Sequence, residues 1–157
     1  MSPINNDWQF KHALDDMDGY HQRQVAALFV RNVLDLNPDP RVLKALEVAS
    51  NYDSDPDEMN STIKSIMQAV LESHARCGAA CKWSDQAGYY VARAAAACLT
   101  PRSFTLGKDP AWQAALSCRM ARTSATLDCL DCEPVTESLK QHKILSDYLE
   151  SLKGTEP

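Results

Sequence analysis

Three Asp-Pro pairs divide this chain: Asp39-Pro40, Asp55-Pro56 and Asp109-Pro110. An aspartate accepts hydrogen bonds from the free N–H groups of a helix start, and proline is preorganised for the first helical position. Each pair is followed by apolar residues three and four apart, the spacing of one helical face. The pattern predicts an all-α protein. Glycine, needed for the turns of a sheet-rich chain, occurs only 5 times in 157 residues.

Read along the chain, the same spacing gives six or seven helices. The first runs from about Asn6 to Asp16, with Trp8 and Leu14 as expected core anchors. The second runs from Tyr20 to about Leu36, with Val25, Leu28, Phe29, Val33 and Leu36 on one face, and ends at Asn37-Pro38, because a residue before proline avoids the α region. The third starts at Asp39-Pro40, reaches about Asn51 and is expected to bury Leu43, Leu46 and Ala49 or Ser50. Asp55 is the expected cap of the fourth and longest helix, with Glu58 completing a capping box. Its stripe is Met59, Ile63, Ile66, Met67, Val70, Leu71, His74, Cys77 or Gly78, and Cys81.

Ser84 is the expected cap of a fifth helix, Asp85 to Leu99, whose inner face is small: Ala87, Val91, Ala94, Ala95 and Cys98. Thr100 to Lys108 reads as the longest loop. Asp109-Pro110 opens a sixth helix to about Leu130 with two apolar faces, one through Trp112, Leu116, Met120 and Leu127, the other through Ala111, Ala114, Ala115, Cys118 and Ala125. A helix apolar on two sides is central. Pro134 opens the last helix to about Leu152, with Leu139, His142, Leu145 and Leu149 in line. No linker or repeat interrupts the series, so residues 1–157 read as a single helical domain, a compact bundle. Gly78 inside helix four costs about 1 kcal/mol relative to alanine, and the expected compensation is close approach of the alanine-rich helix five.

The net charge of −5 disfavours nucleic acid, whose phosphates select basic surfaces. No run of about 18 apolar residues is present, which disfavours a membrane span. The N-terminus shows no basic region followed by an apolar stretch, and 6 cysteines in that setting read as reduced thiols of a cytoplasmic protein.

No catalytic motif is present, and the chain reads as a non-enzyme without cofactor. The run Asp53-Ser-Asp55-Pro-Asp57-Glu58 fails as a calcium loop, since Glu58 stands where glycine is required and Lys64 where the terminal glutamate is required. Carboxylates there suit the positive end of a helix. His74, Cys77 and Cys81 on helix four, with the Cys129-x-x-Cys132 pair, give a second reading as a thiol- or zinc-dependent site. Cys98 and Cys118 sit in alanine-rich surroundings, where a free thiol packs as a small apolar group. His12 and His21 are scattered; His74 and His142 fall on apolar faces and read as core histidines. Arg119 and Arg122 lie beside the buried faces of helix six, where one is expected to hold a buried carboxylate.

The segment from Arg23 to Ala49, opening as Arg23-Gln-Val-Ala-Ala-Leu-Phe-Val30 and continuing through Asn37-Pro-Asp-Pro-Arg41 to Ala45-Leu-Glu-Val-Ala49, resembles alanine-rich helical immunity proteins of bacterial polymorphic toxin systems. Those proteins share a core helix, an acidic-proline turn, an arginine and an Ala-x-Glu-x-Ala helix. The likeness continues loosely to Cys98 through Ala92-Arg-Ala-Ala-Ala-Ala-Cys98, and this chain departs from it in helix four, where Ser61-Thr-Ile-Lys-Ser-Ile-Met67 replaces alanine. The resemblance implies a binding protein that neutralises a toxin domain by direct contact. Toxins that attack nucleic acids are basic, and an acidic partner gains association rate from that. The expected binding face is the set of acidic helix starts and turns: Asp35, Asp39, Asp53, Asp57 and Glu58.

Overall fold

The computed structural model describes residues 3–80, 82–100, 109–127 and 136–154, with the backbone alone at 79 and 80. Among them are seven α-helices, a single 3-10 turn and no strand: α1 (Asp7–Asp15), α2 (Gly19–Arg31), the 3-10 turn Leu34–Leu36, α3 (Pro40–Ser50), α4 (Pro56–Ala80), α5 (Trp83–Leu99), α6 (Pro110–Leu127) and α7 (Glu137–Lys153). The protein is an all-α bundle. No helix among the described residues is long and apolar enough to cross a membrane.

The helix starts follow the local chemistry. The Asn6 side chain accepts from the Gln9 N–H, Asp18 from His21, and Asp39 from Arg41 ahead of Pro40. At α4 the Asp55 carboxylate accepts from the Asp57 N–H at 3.3 Å. The expected capping box forms only in part, because the Glu58 carboxylate accepts from Lys44 Nζ at 2.9 Å. At α5 the helix begins earlier than Ser84: Lys82 occupies the extended cap position without a side-chain bond, and Ser84 falls inside the first turn.

α5 and α6 pack most intimately, and α4, α2 and α3 surround α5. Their shared seam is built from Ala94, Ala95 and Cys98 on one side and Ala111, Ala114, Ala115, Cys118 and Ala121 on the other, all fully buried. Small side chains let two helix backbones approach closely; the sequence places these residues inside but pairs the small face of α5 with Gly78 of α4, whereas that face meets α6. Larger core residues gather around the seam: Phe10, Leu14, Val25, Phe29, Val33, Leu46, Ile66 and Leu145.

Several apolar residues expected inside lie outside. Trp8 is 76% exposed and stacks on His12, while Phe10 takes the anchor position against Phe29, Trp112 and His142. Leu28, Leu43, Met67 and Leu71 are also exposed. On α4 the inner face is turned toward Thr62, Ile66, Ala69 and Ser73. Thr62 is buried without a penalty because its hydroxyl donates to the Glu58 carbonyl one turn back, at 2.7 Å. A hydroxyl satisfied in this way hides in the core and makes the true inner face read as polar. The notch expected at Gly78 is absent, since a Cβ there would meet nothing within 4 Å. The close approach is at Gly88, where a Cβ would sit 3.6 Å from the Leu36 carbonyl oxygen and beside Asn37. Asn37 Nδ2 donates to the Gly88 carbonyl at 2.8 Å and ties the 3-10 turn to α5.

Candidate functional site

The turn between α3 and α4 is organised by short local bonds. Asn51 Oδ1 accepts from the Asp53 N–H at 3.0 Å, and the Ser54 hydroxyl donates to the Val48 carbonyl at 2.9 Å. These bonds fold the turn tightly and leave Tyr52, Asp53, Asp55 and Asp57 exposed together at the start of α4. Tyr52 is 73% exposed and is held edge-on by Tyr20, with ring centroids 4.9 Å apart. Among the described residues no cation pairs with Asp53, Asp55 or Asp57. Three carboxylates and one steadied aromatic ring make a compact acidic corner at the positive end of the α4 dipole.

The other acidic candidates lie elsewhere or are engaged. Asp39 caps the opposite end of α3, about 16 Å away along a helix of 11 residues. Arg41 bonds it at 2.7 Å and also bonds Glu72 at 2.6 Å. The Arg41 guanidinium holds the Asp39 and Glu72 carboxyls below their usual range, and the two carboxylates raise Arg41 in turn. Asp35 lies 3.5 Å from Arg122. Glu58 sits at the acidic corner but is neutralised by Lys44, whose affinity for its proton rises accordingly. Of the five residues expected to form one face, Asp53, Asp57 and Glu58 come together, whereas Asp35 and Asp39 belong to the far end of α3. Tyr52 was not legible as part of the site, because a tyrosine in a turn carries no sequence signal of its own.

The thiol and metal reading meets different surroundings. His74 is exposed, not a core residue, and its ring packs against Tyr89 at 5.4 Å. Cys77 is half-buried, and desolvation raises its thiol, with Asp85 adding to the shift. Burial pushes Cys98 up to about 12 and Cys118 well above its ordinary value. The thiolate is the reactive form, so burial disfavours reaction at Cys98 and Cys118. Cys81, Cys129 and Cys132 lie outside the described residues. No group of three or more His, Cys, Asp or Glu suited to a metal ion occurs among the described residues.

A second polar assembly joins α1, α6 and α7. Arg119 donates to both Asp7 oxygens at 2.8 Å and to Gln141 Oε1 at 2.8 Å, while His142 Nε2 lies 2.9 Å from Asp7. Hydrogen bonding from Arg119 holds the Asp7 carboxyl down at about 2, against a smaller opposing effect of burial. One level along the helices, Arg122 pairs with Glu137 at 3.3 Å and donates to the Asn32 carbonyl at 2.9 Å, and Asn32 donates to the other Glu137 oxygen. The Glu137 side chain is only 2% exposed. This is the buried carboxylate that the sequence predicts for one of the two arginines. Every charge here is spent on another charge of the same chain, so the assembly fastens helices together. Comparison with protein-family models, with curated proteins and with solved structures gives no match to this chain.

Proposed function

We propose that this chain is a non-enzymatic binding protein that neutralises a basic toxin domain by covering it, as an immunity protein does. The observation that carries the reading is the acidic corner. Asp53, Asp55 and Asp57 stand exposed around Tyr52, and among the described residues no cation pairs with them, Lys44 being engaged by Glu58. An aromatic ring flanked by carboxylates supplies both a packing anchor and a field that steers a basic partner. The likeness of residues 23–98 to immunity proteins points the same way, and so does the engagement of the buried charges in helix-to-helix bonds.

The test is co-expression with a toxin domain encoded beside this chain's gene. The expected result is a 1:1 complex that survives purification, with growth restored. Growth arrest that persists at equal expression, with no complex recovered, contradicts the reading.

A further inference from the structure

We propose that the outer face of α4 pairs with the same face of a second copy of this chain, the two helices running antiparallel. The face lies opposite the buried row Thr62, Ile66, Ala69 and Ser73. It consists of Asn60, Lys64, Met67, Leu71, His74 and Gly78, all exposed. Steps of four and three alternate through them, a repeat of about 3.5 residues per turn that keeps one seam facing a partner helix along its length. A face that only meets solvent is rich in charged and polar side chains. Here Lys64 is the only lysine, arginine, aspartate or glutamate of the seam, in a chain of 24% charged residues, while Leu71 is 63% exposed and Met67 46%. The His74 ring packs on Tyr89 at 5.4 Å and widens the face toward α5. Gly78 weakens the helix, and a Cβ there would meet nothing within 4 Å, so packing within the chain does not call for it. Open space at that position suits a helix arriving from outside.

Charge selects the occupant and its direction. A parallel pair would set the acidic corners of two copies, each with Asp53, Asp55 and Asp57, side by side, and like charges so placed repel. An antiparallel pair centred between Met67 and Leu71 holds the two Asp57 positions about 36 Å apart along the helix axis. In that register Met67 of each copy meets Leu71 of the other, so four apolar side chains close the centre. Lys64 of each copy comes over His74 of the other and reaches toward the last turn of that α4. The carbonyl end of a helix favours a cation, and no basic residue of the chain itself stands in that turn. A patch complementary to itself closes a two-fold dimer and leaves no open end. From Asn60 to Gly78 the seam runs about 27 Å. That is a short contact beside those of obligate dimers, so the expected dissociation constant lies in the micromolar range. The inference goes beyond the toxin-binding reading. The dimer is measured without a toxin and its variants leave Asp53 and Asp57 in place, so either reading can fail alone.

Sedimentation equilibrium across the micromolar range tests the proposal. The parent chain is expected to pass from monomer to dimer. Leu71→Lys and Met67→Glu are each expected to weaken association at least about tenfold. The melting temperature of the dilute monomer stays that of the parent, because both side chains are at the surface. An equimolar mixture of the two variants is expected to recover the dimer, since antiparallel pairing sets position 71 of one against position 67 of the other with opposite charges. If either variant does not fold, Leu71→Gln alone is expected to weaken association several-fold. A parent chain that stays monomeric throughout the range overturns the proposal, whether another protein or only solvent covers the face. So does a dimer that Leu71→Lys leaves intact, since its contact then lies elsewhere. A mixture no better associated than its components overturns it too, since the helices then do not run antiparallel.

Discussion

The α5–α6 seam and the α1–α6–α7 seam solve the same problem with opposite materials. The first is alanine and cysteine, dry, and limited by volume. The second is Asp7, Arg119, Gln141, Arg122 and Glu137, limited by partnership. In the dry seam a methylene too many is costly. In the polar seam volume matters less, and an orphaned charge is the danger. α6 carries both, with Ala111, Ala114, Ala115 and Ala121 on one side and Arg119 and Arg122 on the other. That division explains why one helix reads as apolar on its inner face yet holds two arginines close to the core.

The largest expected effect comes from orphaning the deepest charge. Glu137→Ala removes the buried carboxylate that the mostly buried Arg122 guanidinium and the Asn32 amide share, leaving Arg122 only the Asn32 carbonyl and the exposed Asp35, and breaking a buried pair in this way costs about 3–5 kcal/mol. Urea denaturation measures it. A loss below about 1 kcal/mol would mean that Arg122 finds equal compensation in Asp35 and that the polar seam is not held by Glu137.

Next comes volume in the dry seam. Ala95→Leu has no space to enter, since Ala95 is fully buried between packed helices, and overpacking of this kind costs about 1–3 kcal/mol. An unchanged urea midpoint contradicts the close approach of α5 to its neighbours. The asymmetry sharpens if Glu137→Gln, which keeps volume and loses charge, is more harmful than its nearly unchanged size predicts.

The burial of the small residues of α5 and α6 was legible in the sequence, because small residues at helical spacing have one simple use, but their pairing with each other was not, since α5 was expected against Gly78. Ala94, Ala95, Cys98, Ala111, Ala114, Ala115 and Cys118 were all expected inside, and all are buried. The register of α4 was not legible. Thr62 and Ser73 bury polar atoms by bonding within their own helix or to Arg76, so the inner face looks polar and Met67 and Leu71 look like core. The acidic corner was half legible: the run of carboxylates announces itself, while Tyr52 and the separation of Asp39 from Asp53 require the path of the chain. Long-range pairs such as Asp7 with Arg119 leave no trace in local spacing.

A smaller effect concerns pH. Asp7 is held at about 2 by Arg119 in the folded chain against an ordinary value of 3.8. The folded form therefore binds its proton less readily, and the stability this contributes is complete above about pH 4 and is lost as pH falls toward 2. Because Asp7 is half-exposed, solvent screening reduces the contribution to about 1 kcal/mol or less. Asp7→Asn is expected to lie below the parent in stability at pH 6 and to converge with it near pH 2. Curves that stay parallel across that range remove Asp7 from the polar seam.

The central claim is that the acidic corner meets a basic partner, and association kinetics test it most directly. Stopped-flow mixing with the proposed toxin partner at increasing salt gives the rate and its salt dependence. Asp53→Asn/Asp57→Asn is expected to slow association by roughly tenfold at low salt and to flatten the salt dependence, with the melting temperature unchanged. Asp55 is left in place because it caps α4. An association rate and salt dependence equal to those of the parent would contradict the claim and place the binding face elsewhere on the bundle.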